Sequence, residues 1–151
     1  MTSIIFFDID DVLFKTDLFI KSGFKKYEAY EDAKEIVEKI GKKFEIGILS
    51  QGEYDLQINK LTKTGLLELF KKENIFIVEE KNKITGNIFK KFKNKIIYVL
   101  DDRIDNLSKI KKTSLAVKTI QIKRGRHQDL KINYCPDFTI NNLREVLKIL
   151  Q

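Results

Sequence analysis

The sequence predicts an α/β fold, a three-layer α/β/α sandwich around a mainly parallel sheet of about five strands. Three observations carry that expectation. Short apolar runs alternate along the chain with helical patterns, the order that builds a parallel sheet. The runs are apolar almost throughout, which suits strands covered on both faces. The 151 residues hold a single proline, Pro136, and seven dispersed glycines, with no repeat, linker or low-complexity tract. One domain spanning 1–151 is therefore expected.

In chain order, the strand candidates are "SIIFFDI" (3–9), "FEIGILS" (44–50), "NIFIVE" (74–79), "KIIYVLD" (95–101) and "KTIQIK" (118–123). Each is short, and most are rich in β-branched or aromatic residues. The helix candidates lie between them. "EDAKEIVEKIGK" (31–42) puts Ala33, Ile36, Val37 and Ile40 on one stripe, and Gly41 fits its C-terminal stop. "DLQINKLTKTG" (55–65), "ITGNIFKKFKN" (84–94) and "RIDNLSKIKKT" (103–113) follow. "NNLREVLKIL" (141–150) closes the chain, with Leu143, Val146, Leu147 and Leu150 at helical spacing. In a Rossmann-like sheet of this kind, ligands bind at the carboxyl ends of the strands.

Composition bounds the function. Hydrophobic residues make up 42% of the chain, as in a soluble globular protein. No apolar run approaches the roughly 20 residues that span a bilayer, so no membrane partner is expected. The apolar run Ile4–Phe7 is cut by acid and does not read as a signal peptide. The lone Cys135 excludes an internal disulfide framework and suits a reducing cytoplasm; it reads as inert packing. The net charge of +7 admits a nucleic-acid partner. Most lysines are scattered, however, and read as solvated surface; "KRGRH" at 123–127 is the local exception.

The chemistry concentrates at strand ends. Asp8 and Asp10, two apart, point to one side of a continuing strand. Their repulsion calls for a cation, and Mg²⁺, which prefers oxygen ligands and joins phosphates to carboxylates, resolves it. A second acidic pair, Asp101–Asp102, ends another strand and shares that metal if the two strands are neighbours. Ser50-Gln51-Gly52 offers a hydroxyl and approachable amides to a phosphate. Lys81 and Lys83 lie between that strand and the second acidic pair.

In this order the motifs resemble those of the haloacid dehalogenase-like phosphohydrolases, over nearly the whole chain. "DIDDV" at 8–12 resembles the first motif, Ser50 the second, a helix-opening lysine the third and "YVLDDRIDN" the fourth. Lys83, followed by Ile88 and Phe89, matches the family spacing better than Lys81, although Ile84 stands where relatives often carry proline. "TIQIKRGRH" and "PDFTINNLREVLKIL" resemble the last core strand with its loop and the closing strand and helix.

The resemblance implies a Mg²⁺-dependent phosphatase working through an aspartyl-phosphate. Asp8 would be the nucleophile and Asp10 the acid and base. Mg²⁺ would be held by Asp8, the Asp10 carbonyl and Asp102, with Asp101 helping. Lys83, Ser50 and the Gln51 and Gly52 amides would bind the phosphoryl oxygens. Asp10 separates this chain from the family's dehalogenases, which lack that residue. Asp11 reads as a loop or cap residue, and Asp105 and Asn106 as caps of the next helix, Asn106 matching a position that orients the loop in relatives.

Substrate choice in such proteins rests on an inserted cap. Here 42 positions separate Asp8 from Ser50 and 33 separate Ser50 from Lys83; core elements fill both gaps. Only 14–30 is free to form a small lid. An open site admits a small phosphorylated substrate or a phosphorylated macromolecule, or is covered in an oligomer. A noncatalytic phosphate- or nucleic-acid-binding module using 123–127 is the alternative. A signalling receiver domain fits less well, because its acceptor Asp would stand where Ser50 does.

Overall fold

The computed structural model describes residues 2–150, apart from the side chains of residues 82–84. Six parallel strands form one sheet: β1 (Ser3–Phe7), β2 (Glu45–Gln51), β3 (Ile75–Val78), β4 (Ile96–Asp101), β5 (Lys118–Ile122) and β6 (Phe138–Ile140), in the order β3-β2-β1-β4-β5-β6. The five runs read as strands all appear. The sixth is a three-residue edge strand, too short to show a periodicity, within 136–150 where the family resemblance puts a closing strand.

β1 is the axis of the fold. All five of its residues are buried, because β2 and β4 flank it and helices cover both faces. Its side chains alternate between two cores. Ile5 and Phe7 face a core shared with α1 (Thr16–Lys21), α2 (Ala33–Gly41), part of α3 (Tyr54–Lys63) and the C-terminal segment, which forms a 3₁₀ turn (Leu143–Glu145) and α6 (Val146–Ile149). Ile4 and Phe6 face the other core, built by α4 (Lys81–Lys90) and α5 (Ile104–Thr113). There Phe6 meets the rings of Phe76, Phe89 and Phe92. The predicted stripe of Ala33, Ile36, Val37 and Ile40 is buried as a unit.

Gly47 on β2 is required by this packing. A Cβ there would lie 2.7 Å from both the Phe6 ring and the Asn74 carbonyl.

The sheet places the site. The chain runs outward from β1 through β2 and β3, then returns to β4 on the other side and runs outward again. The order reverses between β1 and β4, the point where parallel sheets open a ligand crevice. Phe7 is in register with Leu100, and the Asp8 amide donates to the Leu100 carbonyl at 3.0 Å. Asp8 and Asp101 therefore leave adjacent strand ends side by side.

Residues 14–30 form a compact excursion. Phe14 bridges Ala29 at its base, and Phe14, Phe19, Phe24 and Tyr27 stack edge-on within it. It packs against α3, where the Asn59 amide donates to the Tyr27 hydroxyl. Among the described residues, no helix is long and apolar enough to cross a membrane.

Candidate active site

A cavity of about 680 Å³ opens over the carboxyl ends of β1 and β4. Asp8, Asp10 and Asp102 line it, with Gln51 and Gly52 from the end of β2, Tyr54 from α3, Lys81 from α4, and Arg126 and His127 beyond β5. The described residues of 14–30 lie outside its lining.

Asp8, Asp101 and Asp102 each bring an oxygen within 4.8 Å of the others, and all three side chains are buried. Three carboxylates so close need cations or protons. Lys81 supplies one charge: its ammonium lies 2.6 Å from Asp101 Oδ2 and 3.3 Å from Asp8 Oδ1. Burial works against ionised Asp101, but the Lys81 charge and hydrogen bond outweigh it and hold that carboxyl below its usual range. Lys81 is itself raised: burial disfavours its charge, and Asp101 and Asp8 more than compensate. The other two carboxyls are left short of positive charge. Asp8 is pushed up to about 8, by burial first and then by its acidic neighbours, against the pull of Lys81. Asp102 is pushed up to about 10, by burial and by the charges of Asp101 and Asp8. A cluster that retains protons in this way is short of a cation, and an oxygen-only donor set suits a hard divalent ion such as Mg²⁺.

Lys83, favoured by its spacing, lies outside the described side chains. Among the described residues, Lys81 is the lysine that reaches Asp8 and Asp101, and it is 2% exposed.

Asp10 stands beyond β1 with its carboxylate held by three donors. Thr16 Oγ1 and Lys60 Nζ donate to Oδ1 at 2.8 and 2.7 Å, and Gln57 Nε2 donates to Oδ2 at 3.1 Å. Ser50, one residue before the end of β2, is fully buried behind the cavity lining, and its Oγ accepts from the same Gln57 Nε2 at 2.8 Å. The two Gly52 expectations separate. Gly52 lines the cavity, but its amide donates to the Val78 carbonyl at 3.0 Å, so it is taken by β3 and is not offered to a phosphate. Asn106 reaches Asp101 Oδ2 only at 3.4 Å. Asp105 pairs with Arg103 instead of capping α5 through its side chain.

Asp11 lies in a turn, as its loop reading expects. It is fully buried, adopts a left-handed backbone (φ 62°), and receives two hydrogen bonds from Arg126 on Oδ2 at 2.9 and 3.0 Å. Gly125 makes that approach possible, since a Cβ there would lie 2.5 Å from Asp11. His127 Nδ1 sits 2.9 Å from Asp102 Oδ2. Arg124 clamps Asp32 with two 3.0 Å bonds, stacks 3.8 Å over Tyr30 and donates to the Val12 carbonyl. The basic loop 123–127 thus spends most of its charge inward. Cys135 is exposed on the β5–β6 connection, outside the cavity, and does no packing.

Sequence reasoning passed over Gln57 and Lys60. Their three-residue spacing puts them on one helix face, but lysine and glutamine read as surface residues. Both are buried.

No family model matches the chain, and no curated protein does. Solved structures do. A protein from Burkholderia xenovorans LB400 assigned as a haloacid dehalogenase-like hydrolase matches at 15% identity and TM-score 0.81, over 99% of this chain and 97% of that one. A HAD-hydrolase from Bacillus subtilis bound to magnesium matches at 14% identity and TM-score 0.74, over 99% of both. A predicted phosphoglycolate phosphatase from Haemophilus somnus matches at 14% identity and TM-score 0.70, over 89% of this chain and 63% of that one. The shared architecture is the haloacid dehalogenase-like hydrolase fold.

Proposed function

We propose, from the premise that the chain has this fold, that it is a Mg²⁺-dependent phosphatase hydrolysing a phosphate monoester through an aspartyl-phosphate. One observation carries the reading. Asp8 stands at the crevice between β1 and β4 with Asp101, Asp102 and Lys81 around it, and Asp10 two residues on at the cavity wall. The phosphatase and magnesium-bound neighbours support it.

An Asp8 carboxylate oxygen attacks phosphorus, and the bond to the leaving oxygen breaks as that oxygen takes a proton from Asp10. A water then gives a proton back to Asp10 and attacks the same phosphorus, breaking its bond to Asp8 and releasing phosphate. Such acid-base help is worth about 10²–10⁴ in rate. Lys81 neutralises charge on Asp8 and Asp101, and the Ser50 hydroxyl binds a phosphoryl oxygen. Asp8, Asp101, Asp102 and the Asp10 carbonyl would hold Mg²⁺, which supplies charge neutralisation at the phosphoryl oxygens when bound. Exclusion of water and fixed donors do most of the work in such a transfer. A cavity of about 680 Å³ accepts a small phosphorylated molecule or the phosphorylated end of a larger one.

Purified protein with p-nitrophenyl phosphate and Mg²⁺ tests the proposal. Wild type is expected to turn over and Asp8→Asn to fall to background. Equal rates overturn the nucleophile assignment.

A further inference from the structure

We propose that Gln57 and Lys60, three residues apart on α3, are positioning residues that aim the Ser50 hydroxyl and the Asp10 carboxylate at the bound phosphoryl group. The inference rests on the phosphatase reading and names machinery for it outside the strand-end motifs.

Both side chains are buried, Gln57 at 1% and Lys60 at 4% exposure. A lysine is seldom buried without a partner, and the described partner of Lys60 is Asp10, at 2.7 Å. Its ammonium also donates to Gln57 Oε1 at 2.7 Å and lies 5.4 and 5.5 Å from the Phe14 and Phe19 ring centroids. These neighbours settle which way the Gln57 amide faces. An ammonium demands the amide oxygen and a carboxylate demands the amide nitrogen. The two Nε2 protons then go to Asp10 Oδ2 and Ser50 Oγ.

The consequence for Ser50 is directional. Its oxygen accepts from Gln57, so a lone pair is occupied and its own O–H is turned away from the amide. Among the described residues no acceptor takes that proton, which leaves it for a phosphoryl oxygen. For Asp10 the consequence is rotational. Donors on both carboxylate oxygens fix the plane of the group. One i, i+3 pair therefore orients a phosphate-binding group from β2 and the acid-base group beyond β1. Catalytic groups must be held within a fraction of an ångström of their working geometry by partners of this kind.

Two measurements test this. The first is calorimetric binding of inorganic phosphate with Mg²⁺ present, to wild type, Gln57→Met, Ser50→Ala and the double variant. Gln57→Met is expected to weaken binding about tenfold, the worth of one hydrogen bond to a charged group. It is expected to add nothing in the Ser50→Ala background. Unchanged binding in Gln57→Met, or equal weakening in both backgrounds, overturns the Ser50 arm. If Gln57→Met fails to fold, Gln57→Leu removes the same donor without adding charge, and its weakening must likewise vanish in the Ser50→Ala background. The second measurement compares an alkyl phosphate with p-nitrophenyl phosphate. Lys60→Met is expected to slow the alkyl ester about 10²-fold, the worth of acid catalysis, and the activated ester far less; Lys60→Arg restores part of the loss. Equal slowing of both esters overturns the Asp10 arm. Wild type that binds phosphate without turning over any ester overturns the phosphatase reading and the Asp10 arm, and leaves the Ser50 arm to the binding result. Wild type that binds no phosphate overturns both.

Discussion

Lys81 shows how burial changes the meaning of a residue. It opens α4, and a cation at a helix N-terminus opposes the helix dipole. It stays there because Asp101 and Asp8 are within 2.6 and 3.3 Å. Breaking a buried pair by removing one partner costs about 3–5 kcal/mol, since the other charge is stranded. Lys81→Met is therefore expected to destabilise the fold by about that amount in chemical denaturation. If the proposed reaction holds, its turnover of p-nitrophenyl phosphate is expected to fall further than that of Lys83→Met. A larger loss in Lys83→Met returns the role to that lysine. The apolar pair that pointed to Lys83, Ile88 and Phe89, is accounted for by packing: both are buried against β1 and β4.

At the scale of elements, the connection after β5 joins parts of the chain that are distant in sequence. Arg124 binds Asp32 through two bonds, while Asp32 also accepts from the Leu143 amide at 2.9 Å. The start of α2, the basic loop and the C-terminal 3₁₀ turn meet at this buried pair. Arg124→Met removes the guanidinium and leaves Asp32, 3% exposed, with only backbone support. The expected cost is about 3–5 kcal/mol, read as a lower denaturant midpoint at unchanged slope. A midpoint equal to wild type would show that the clamp adds nothing net. The same loop reaches the site through Arg126 on Asp11 and His127 on Asp102. A run that reads in sequence as an offered basic patch is, in the fold, a tie between two walls of the cavity.

At the scale of the whole molecule, the acidic site sets how stability responds to pH. Unfolded carboxyls titrate at their ordinary value of 3.8, whereas Asp8 and Asp102 in the fold are pushed up to about 8 and about 10. Between those values the folded chain binds more protons than the unfolded one, so stability falls as pH rises. Asp101 is lowered and Lys81 raised. The contribution of Asp101 is lost only in acid and that of Lys81 only in strong base, so neither opposes the trend between. Metal-free protein is expected to melt at a lower temperature near pH 8 than near pH 5, and Mg²⁺ to raise the melting temperature more near pH 8, where it displaces fewer protons. Thermal unfolding in chelator and in Mg²⁺ at both conditions checks this. A metal-free melting temperature that does not fall with pH contradicts it.

The sequence by itself determined the α/β class, five of the six strands by their pattern and the sixth by resemblance, and the strand ends that carry Asp8, Ser50 and the Asp101–Asp102 pair. Those features are local: a run of β-branched residues forms a strand wherever it packs, and a carboxylate after it marks the strand's end. Tertiary structure decided that Lys81 meets Asp8 and Asp101, that Asp11 is buried under Arg126, that the Gly52 amide belongs to β3, and that Gln57 and Lys60 turn inward to Ser50 and Asp10. Each of these depends on a charge or hydrogen bond between elements far apart in the chain. The reading of a lysine as surface or site is settled only when packing removes its water and offers a carboxylate in exchange.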